Sequence, residues 1–250
     1  MDQTKNPIVP LPRHVLVGFV LMLPFHRTDE FDPDLNCPQI FTLSDCLSEI
    51  IPNSLILNWG DSDITEGREK FLEETGLTRV TATQLEQELS RLYEAERLEY
   101  PNLFYSVEDA RRIHQAFFGG ASDWKIVAFG VPETHWEALS FACAAGADSA
   151  EVRGIGHALA KKREMPADQI FLGYDILNLE LGELAHSFFC NAFHKDAKHA
   201  FGMELNPYGL IESESDATKL AKYCTLNDLG EPGPWFPLAL TMATAETSTK

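Results

Sequence analysis

His186, Cys190 and His194 recur at intervals of four residues, the spacing that lines side chains along one flank of a helix, and His199 lies just beyond. Imidazole nitrogen and thiolate sulfur on adjacent turns are ligands that zinc accepts. A zinc centre also needs a fourth ligand and outer partners that orient the first ones, and a single helix cannot supply them. The expectation is therefore a small thiol between two histidines at the border of the core, with no metal and no cofactor. If the chain is an enzyme, a hydrolase or a metal-dependent catalyst, its chemistry belongs to these three residues.

Other chemistry is less complete. Gly154-Ile155-Gly156, with Asp175 at the end of a later strand, imitates a dinucleotide-binding fingerprint. The third glycine position holds Leu159, whose side chain would push the helix off the strand, and the stretch before Gly154 is short and polar for a strand. A turn leading into a short basic helix with Lys161, Lys162 and Arg163 is expected there instead. Cys143 and Cys190 fall in mid-helix among Phe and Ala, away from the helix start that would stabilise a thiolate, so both read as packing residues. The sequence contains no G-x-S-x-G elbow, no Walker loop and no H-E-x-x-H pair.

Charge restricts what such residues can meet. The chain carries 38 Asp and Glu against 20 Lys and Arg, a formal net charge of −18. A surface of that sign repels nucleic acid and anionic lipid and attracts basic proteins or cations. The first hundred residues are the more acidic per residue, with 18 acids and 8 bases. Within them, a helix over residues 63–75 sets Ile64, Phe71 and Leu72 on one side and Glu66, Glu69 and Glu73 on the other. Trp59 and Asp61 stand just before it. An aromatic anchor beside a one-sided carboxylate face is a surface that protein partners use, so Trp59, Asp61, Asp63, Glu66, Glu69 and Glu73 are the expected partner-binding residues.

The elements that must hold these residues follow from periodicity and punctuation. His14 to Leu23 is an apolar, Val- and Leu-rich run bounded by prolines, and predicts a deeply buried strand. The run from Val15 to Phe25 is half the length of a membrane span and is followed by charged residues rather than a cleavage site, which predicts no membrane segment. Thr42 to Ile51 reads as a short helix. Residues 63–118 read as mostly helical, with Thr83 and Glu86 as a capping pair, Ser106 and Asp109 as another, and a stop at Gly119-Gly120. Trp124 to Val131, Ile170 to Leu177 and Pro237 to Met242 read as strands. His135 to Ala145, Leu184 to Ala200 and Ser215 to Cys224 read as helices. Two strand-helix units carrying Ser140-Phe-Ala-Cys143 and Ser187-Phe-Phe-Cys190 echo each other, which predicts neighbouring places on one sheet with Phe141, Cys143, Phe188 and Cys190 buried.

These elements define a mixed α+β protein with a central sheet flanked by helices. Residues 1–242 are expected to form one domain, with a possible subdivision near 120, and residues 243–250 a flexible tail. Five cysteines, an odd number without a C-x-x-C pair, argue for a reducing, cytoplasmic setting. The sequence leaves the oligomeric state open.

Three segments carry a resemblance: Gly173-Tyr-Asp-Ile-Leu177, His186-Ser-Phe-Phe-Cys-Asn191 and Leu205-Asn-Pro-Tyr-Gly-Leu-Ile211. Together they resemble uncharacterised bacterial immunity-type proteins that accompany interbacterial toxins. The resemblance covers about 40 residues and implies a non-enzymatic inhibitor of a partner toxin. The first 120 residues share no such likeness.

Overall fold

The computed structural model describes residues 13–26, 35, 37–44, 49–51, 72–73, 75–99, 103–121, 123–146, 154–180, 183–227 and 233–244. Its strands are β1 (His14–Leu23), β2 (Phe25–His26), β3 (Gln39–Ile40), β4 (Glu49–Ile51), β5 (Leu98–Glu99), β6 (Leu103–Phe104), β7 (Lys125–Pro132), β8 (Arg163–Glu164), β9 (Ile170–Glu180), β10 (Glu183–Ser187) and β11 (Trp235–Met242). Its helices are α1 (Arg79–Glu94), α2 (Val107–Phe118), α3 (Glu133–Gly146), α4 (Ile155–Ala160), α5 (Phe193–Phe201) and α6 (Glu214–Asn227). The fold class is mixed α+β, as the elements read from the sequence predict.

One sheet runs β10-β9-β11-β7-β1-β6-β5, every pairing is antiparallel, and it takes strands from both sides of residue 120. β1 lies near its middle. One edge of β1 pairs with β7 along nearly its whole length, with a bulge between Leu16 and Gly18. The other edge is shared end to end by β8 at Val15 and Leu16, β6 at Phe19, and β4 at Leu21 to Leu23.

Helices cover both faces of this sheet, which explains why β1 is apolar throughout rather than at alternate positions. On one face Val17, Val20, Val127, Phe129, Leu177 and Leu238 pack with Leu139 and Cys143 of α3 and with Ile155, Ala158 and Leu159 of α4. On the other, Leu16, Phe19 and Leu21 meet Leu85, Leu89 and Leu92 of α1 and Ile113 of α2. At the β9 end of that second face, Tyr174, Ile176 and Ala239 meet α5 and α6. Successive side chains point to opposite faces, and the bulge between Leu16 and Gly18 shifts that alternation, so Val17 and Val20 join one cluster and Leu16, Phe19 and Leu21 the other.

Ser106 caps α2 as its sequence predicts: its Oγ accepts from the Asp109 N–H at 3.2 Å, and Gly119 closes the helix with φ +60. Ser106→Ala is expected to cost about 1 kcal/mol, the usual value of a lost N-cap, measured by urea denaturation. No measurable change would show that the cap contributes nothing here.

Three expectations are corrected, and the span 63–118 is mostly helical over its described residues, as expected, with one interruption. The start of α1 is capped by Thr78 rather than Thr83, because Leu77 and Ala82 are both buried and fix the entry of the chain one turn earlier. The span 63–118 is interrupted by the β5–β6 hairpin, where Leu98 and Phe104 are needed in the core. Thr42 to Ile51 is not a helix over its described residues, since Glu49–Ile51 pairs with β1. Leu184 to Ala200 is a strand, a turn and a helix, because Glu183 pairs with Glu180 and folds β10 back onto β9.

The echo is partly upheld. β7 and β9 share the sheet, separated by β11, and Cys143 and Phe188 are buried. Phe141 is 77% exposed and Cys190 is exposed, so the two helices are not equivalent units. Leu55 to Leu57, which the sequence reads as a short strand or extended stretch, and residues 245–250 of the tail lie outside the described residues. Among the described residues no helix is long and apolar enough to cross a membrane.

Candidate functional site

The three residues expected on one helical flank stand on three different elements. His186 is on β10, where its backbone N–H donates to Asn178 Oδ1 at 2.9 Å. Cys190 is exposed in the turn after β10, with its Sγ 3.4 Å from Ser44 Oγ. His194 is buried in α5, its ring 5.0 Å from that of Phe189. Consecutive Phe188 and Phe189 are both buried, and Ala192 takes φ +58, so the chain bends here instead of continuing a helix. Among the described residues no three His, Cys, Asp or Glu side chains are placed to hold a metal ion.

Of the acidic surface, Trp59, Asp61, Asp63, Glu66 and Glu69 lie outside the described residues. Glu73 is helical and exposed beside the buried Leu72.

Asp175 is wholly enclosed, and no ribose hydroxyl can reach it. Its carboxylate accepts from Thr42 Oγ1 at 2.8 Å, Leu43 N at 3.0 Å, Ile176 N at 2.8 Å and Ser187 Oγ at 2.8 Å. Burial raises its pKa to about 6 despite those four donors. The glycine pair that suggested a dinucleotide site begins the six-residue α4 as a plain turn. That helix ends at Ala160, and Arg163 belongs to β8, so the basic residues follow the helix instead of forming it.

The segments that carry the resemblance interlock around this carboxylate. Tyr174 and Ile211 exchange backbone hydrogen bonds at 2.8 and 3.0 Å, and Phe188 N–H donates to Ile176 O at 2.8 Å. Asn206 accepts from the Tyr208 and Leu210 N–H groups and donates to Leu172 O. These three segments are thus framework residues of the fold.

A second buried carboxylate was not singled out by any local motif. Glu99 on β5 is 0% exposed and accepts from the Tyr105 hydroxyl and from His157 Nδ1, the latter at 2.5 Å. Tyr105 OH also lies 3.1 Å from His157 Nδ1. Lys161 Nζ sits 3.7 Å over the Tyr105 ring, and the Arg163 guanidinium is 4.7 Å from it. Arg163 donates to Tyr105 O and to Val17 O, filling the gap on β1 between β8 and β6. Burial moves its pKa below the usual arginine range. The members lie 52 and 58 residues apart in sequence, so spacing could not reveal them.

Basic character gathers at a third place. A cavity of about 890 Å³ beside α2 is lined by Arg111, Arg112, His114 and Lys125, with Glu108 and Trp124. Arg112 is drawn toward Glu88, whose carboxyl is held down at about pH 2 by its hydrogen bond from Arg91 and by Arg112.

Compared with family models, curated proteins and solved structures, the chain finds no match in any of the three.

Proposed function

We propose that this chain is an acidic binding protein acting without a cofactor, an immunity-type inhibitor of a basic partner protein in the cytoplasm. The charge carries this reading: 38 acidic side chains against 20 basic ones leave many carboxylates with no basic side chain to pair with. The described cations are also largely engaged. Arg91 and Arg112 lie on Glu88, Arg97 on Asp109, and Lys162 and Lys219 on the Trp136 and Phe201 rings. A field of this sign repels nucleic acid and speeds encounter with a basic partner by roughly 10- to 1,000-fold at low salt. In this reading Trp59 is the anchor and Asp61, Asp63, Glu66, Glu69 and Glu73 form the charged rim.

The enzyme alternative through His186, Cys190 and His194 loses its main support, because it assumed one helical flank. It would need those side chains to converge from a strand, a turn and a helix.

The test identifies the basic partner by affinity capture and then measures its association rate with three forms of the protein. Reversing Glu66, Glu69 and Glu73 to Lys is expected to slow association by about tenfold or more at low ionic strength and much less at high salt. Trp59→Ala is expected to raise the dissociation rate about thirtyfold, the value of a buried anchor. Wild-type association by the triple reversal at low salt would remove the acidic helix from the interface.

A further inference from the structure

The corner of the sheet where β5, β6 and β8 meet carries a second site. We propose that His157 and Lys161 bind a phosphate group, inorganic or on a small monoester, and that Glu99 and Tyr105 position them for it. This proposal does not depend on the protein-binding reading above.

The argument begins with Glu99, which is wholly removed from solvent. A buried carboxylate persists only with donors, and here they are the Tyr105 hydroxyl and His157 Nδ1. Engaging Nδ1 fixes the tautomer and ring orientation, and leaves Nε2 as the nitrogen able to meet a ligand. The ring that carries it is 41% exposed, so the proton-bearing group is open to solvent while its partner is not.

Around it the local charge is opposite to that of the chain as a whole. Lys161 is exposed, and its ammonium lies 3.7 Å over the Tyr105 ring, whose hydroxyl is 3.1 Å from the imidazole. No carboxylate pairs with Lys161 among the described residues. Arg163 lies 4.7 Å from the same ring and adds positive field, while its terminal nitrogens are taken by two backbone carbonyls. Two cations and an imidazole thus surround one buried carboxylate. An anion is the ligand such a corner attracts.

Phosphate fits it better than a halide or a single carboxylate. Its several oxygens can meet an ammonium and an imidazole nitrogen at once, and bonds to a charged group are the strong ones.

The competing explanation is that Glu99 and His157 only pin α4 against β5. Histidine-resolved NMR at pH 7 separates the two, with inorganic phosphate titrated against chloride at constant ionic strength and His157 assigned through His157→Gln. Of the eight histidines, His157 is expected to shift and to saturate at a phosphate concentration on the order of 1 mM. Lys161→Gln, an exposed change that leaves the fold intact, is expected to weaken binding about tenfold. Glu99→Gln keeps an acceptor but loses the charge, and is expected to weaken binding as well. Glycerol phosphate in a parallel titration distinguishes the sources: tighter binding assigns the site to an organic phosphate, equal binding to the free ion. A His157 signal that phosphate does not move, or that moves equally in Lys161→Gln, would overturn the site and leave a structural tether.

Discussion

Asp175→Ala is expected to destabilise the protein by about 3–5 kcal/mol at pH 7, the largest effect of any single polar change described here. The substitution relieves the burial of one carboxylate but abandons four donors, from Thr42, Leu43, Ile176 and Ser187. The two hydroxyls can turn to other acceptors. The two backbone N–H groups cannot, and each unsatisfied one costs about 1–3 kcal/mol. The segment from Phe41 to Ser44 would lose its main tie to β9, leaving the Phe41 N–H bond to Tyr208 O and the contact of Ser44 Oγ with Cys190 Sγ. Urea denaturation measures this, and a loss under about 1 kcal/mol would show that the network is not satisfied as drawn.

The same residue imposes a pH dependence whose sign runs against the usual carboxylate. Its folded pKa is raised to about 6, while an unfolded Asp titrates near 3.9. Below about pH 4 both states hold the proton, and its stabilising effect is complete. Between pH 4 and 6 the unfolded chain releases the proton first, so stability falls by up to about 1.4 kcal/mol per pH unit and the effect is gone above pH 6. Asp175→Asn has no such proton. The difference in stability between the wild type and Asp175→Asn is therefore expected to shrink as pH rises from 4 to 7. A difference that stays constant over that range would refute the raised pKa.

Gly173→Ala is expected to cost about 3 kcal/mol through two causes that add. Gly173 has φ +139, which side chains rarely adopt, and a Cβ there would stand 2.6 Å from Leu210 Cβ and 3.0 Å from Ile211 O. Nothing flexible can yield, because the Ile211 backbone is bonded to Tyr174 on the next residue. Gly202 supplies the control, with φ +65 and nothing within 4 Å of the added atom, and Gly202→Ala should cost only about 1–2 kcal/mol. Equal losses at the two positions would show that close approach is not what requires glycine at 173.

Contacts within a few residues were readable without the fold. The apolar run His14 to Leu23 could only be a strand buried on both faces, and Ser106 with Asp109 and Gly119 marked both ends of α2. The charge of −18 was likewise set by composition alone. Where two partners compete for one segment, local pattern was not enough. The four-residue spacing of His186, Cys190 and His194 matches a helix, yet pairing with β9 and the burial of Phe188 and Phe189 outweigh that preference. Thr78 displaced Thr83 as a cap for the same reason, since burying Leu77 decides where the helix begins. The Glu99 cluster lay wholly beyond sequence reasoning. Its three members come from β5, the end of β6 and α4, and no residue within a turn of any one of them signals the others. Only the closing of β8 and β6 onto one edge of β1 brings them within hydrogen-bond reach, because sheet pairing fixes distances that chain separation leaves undetermined.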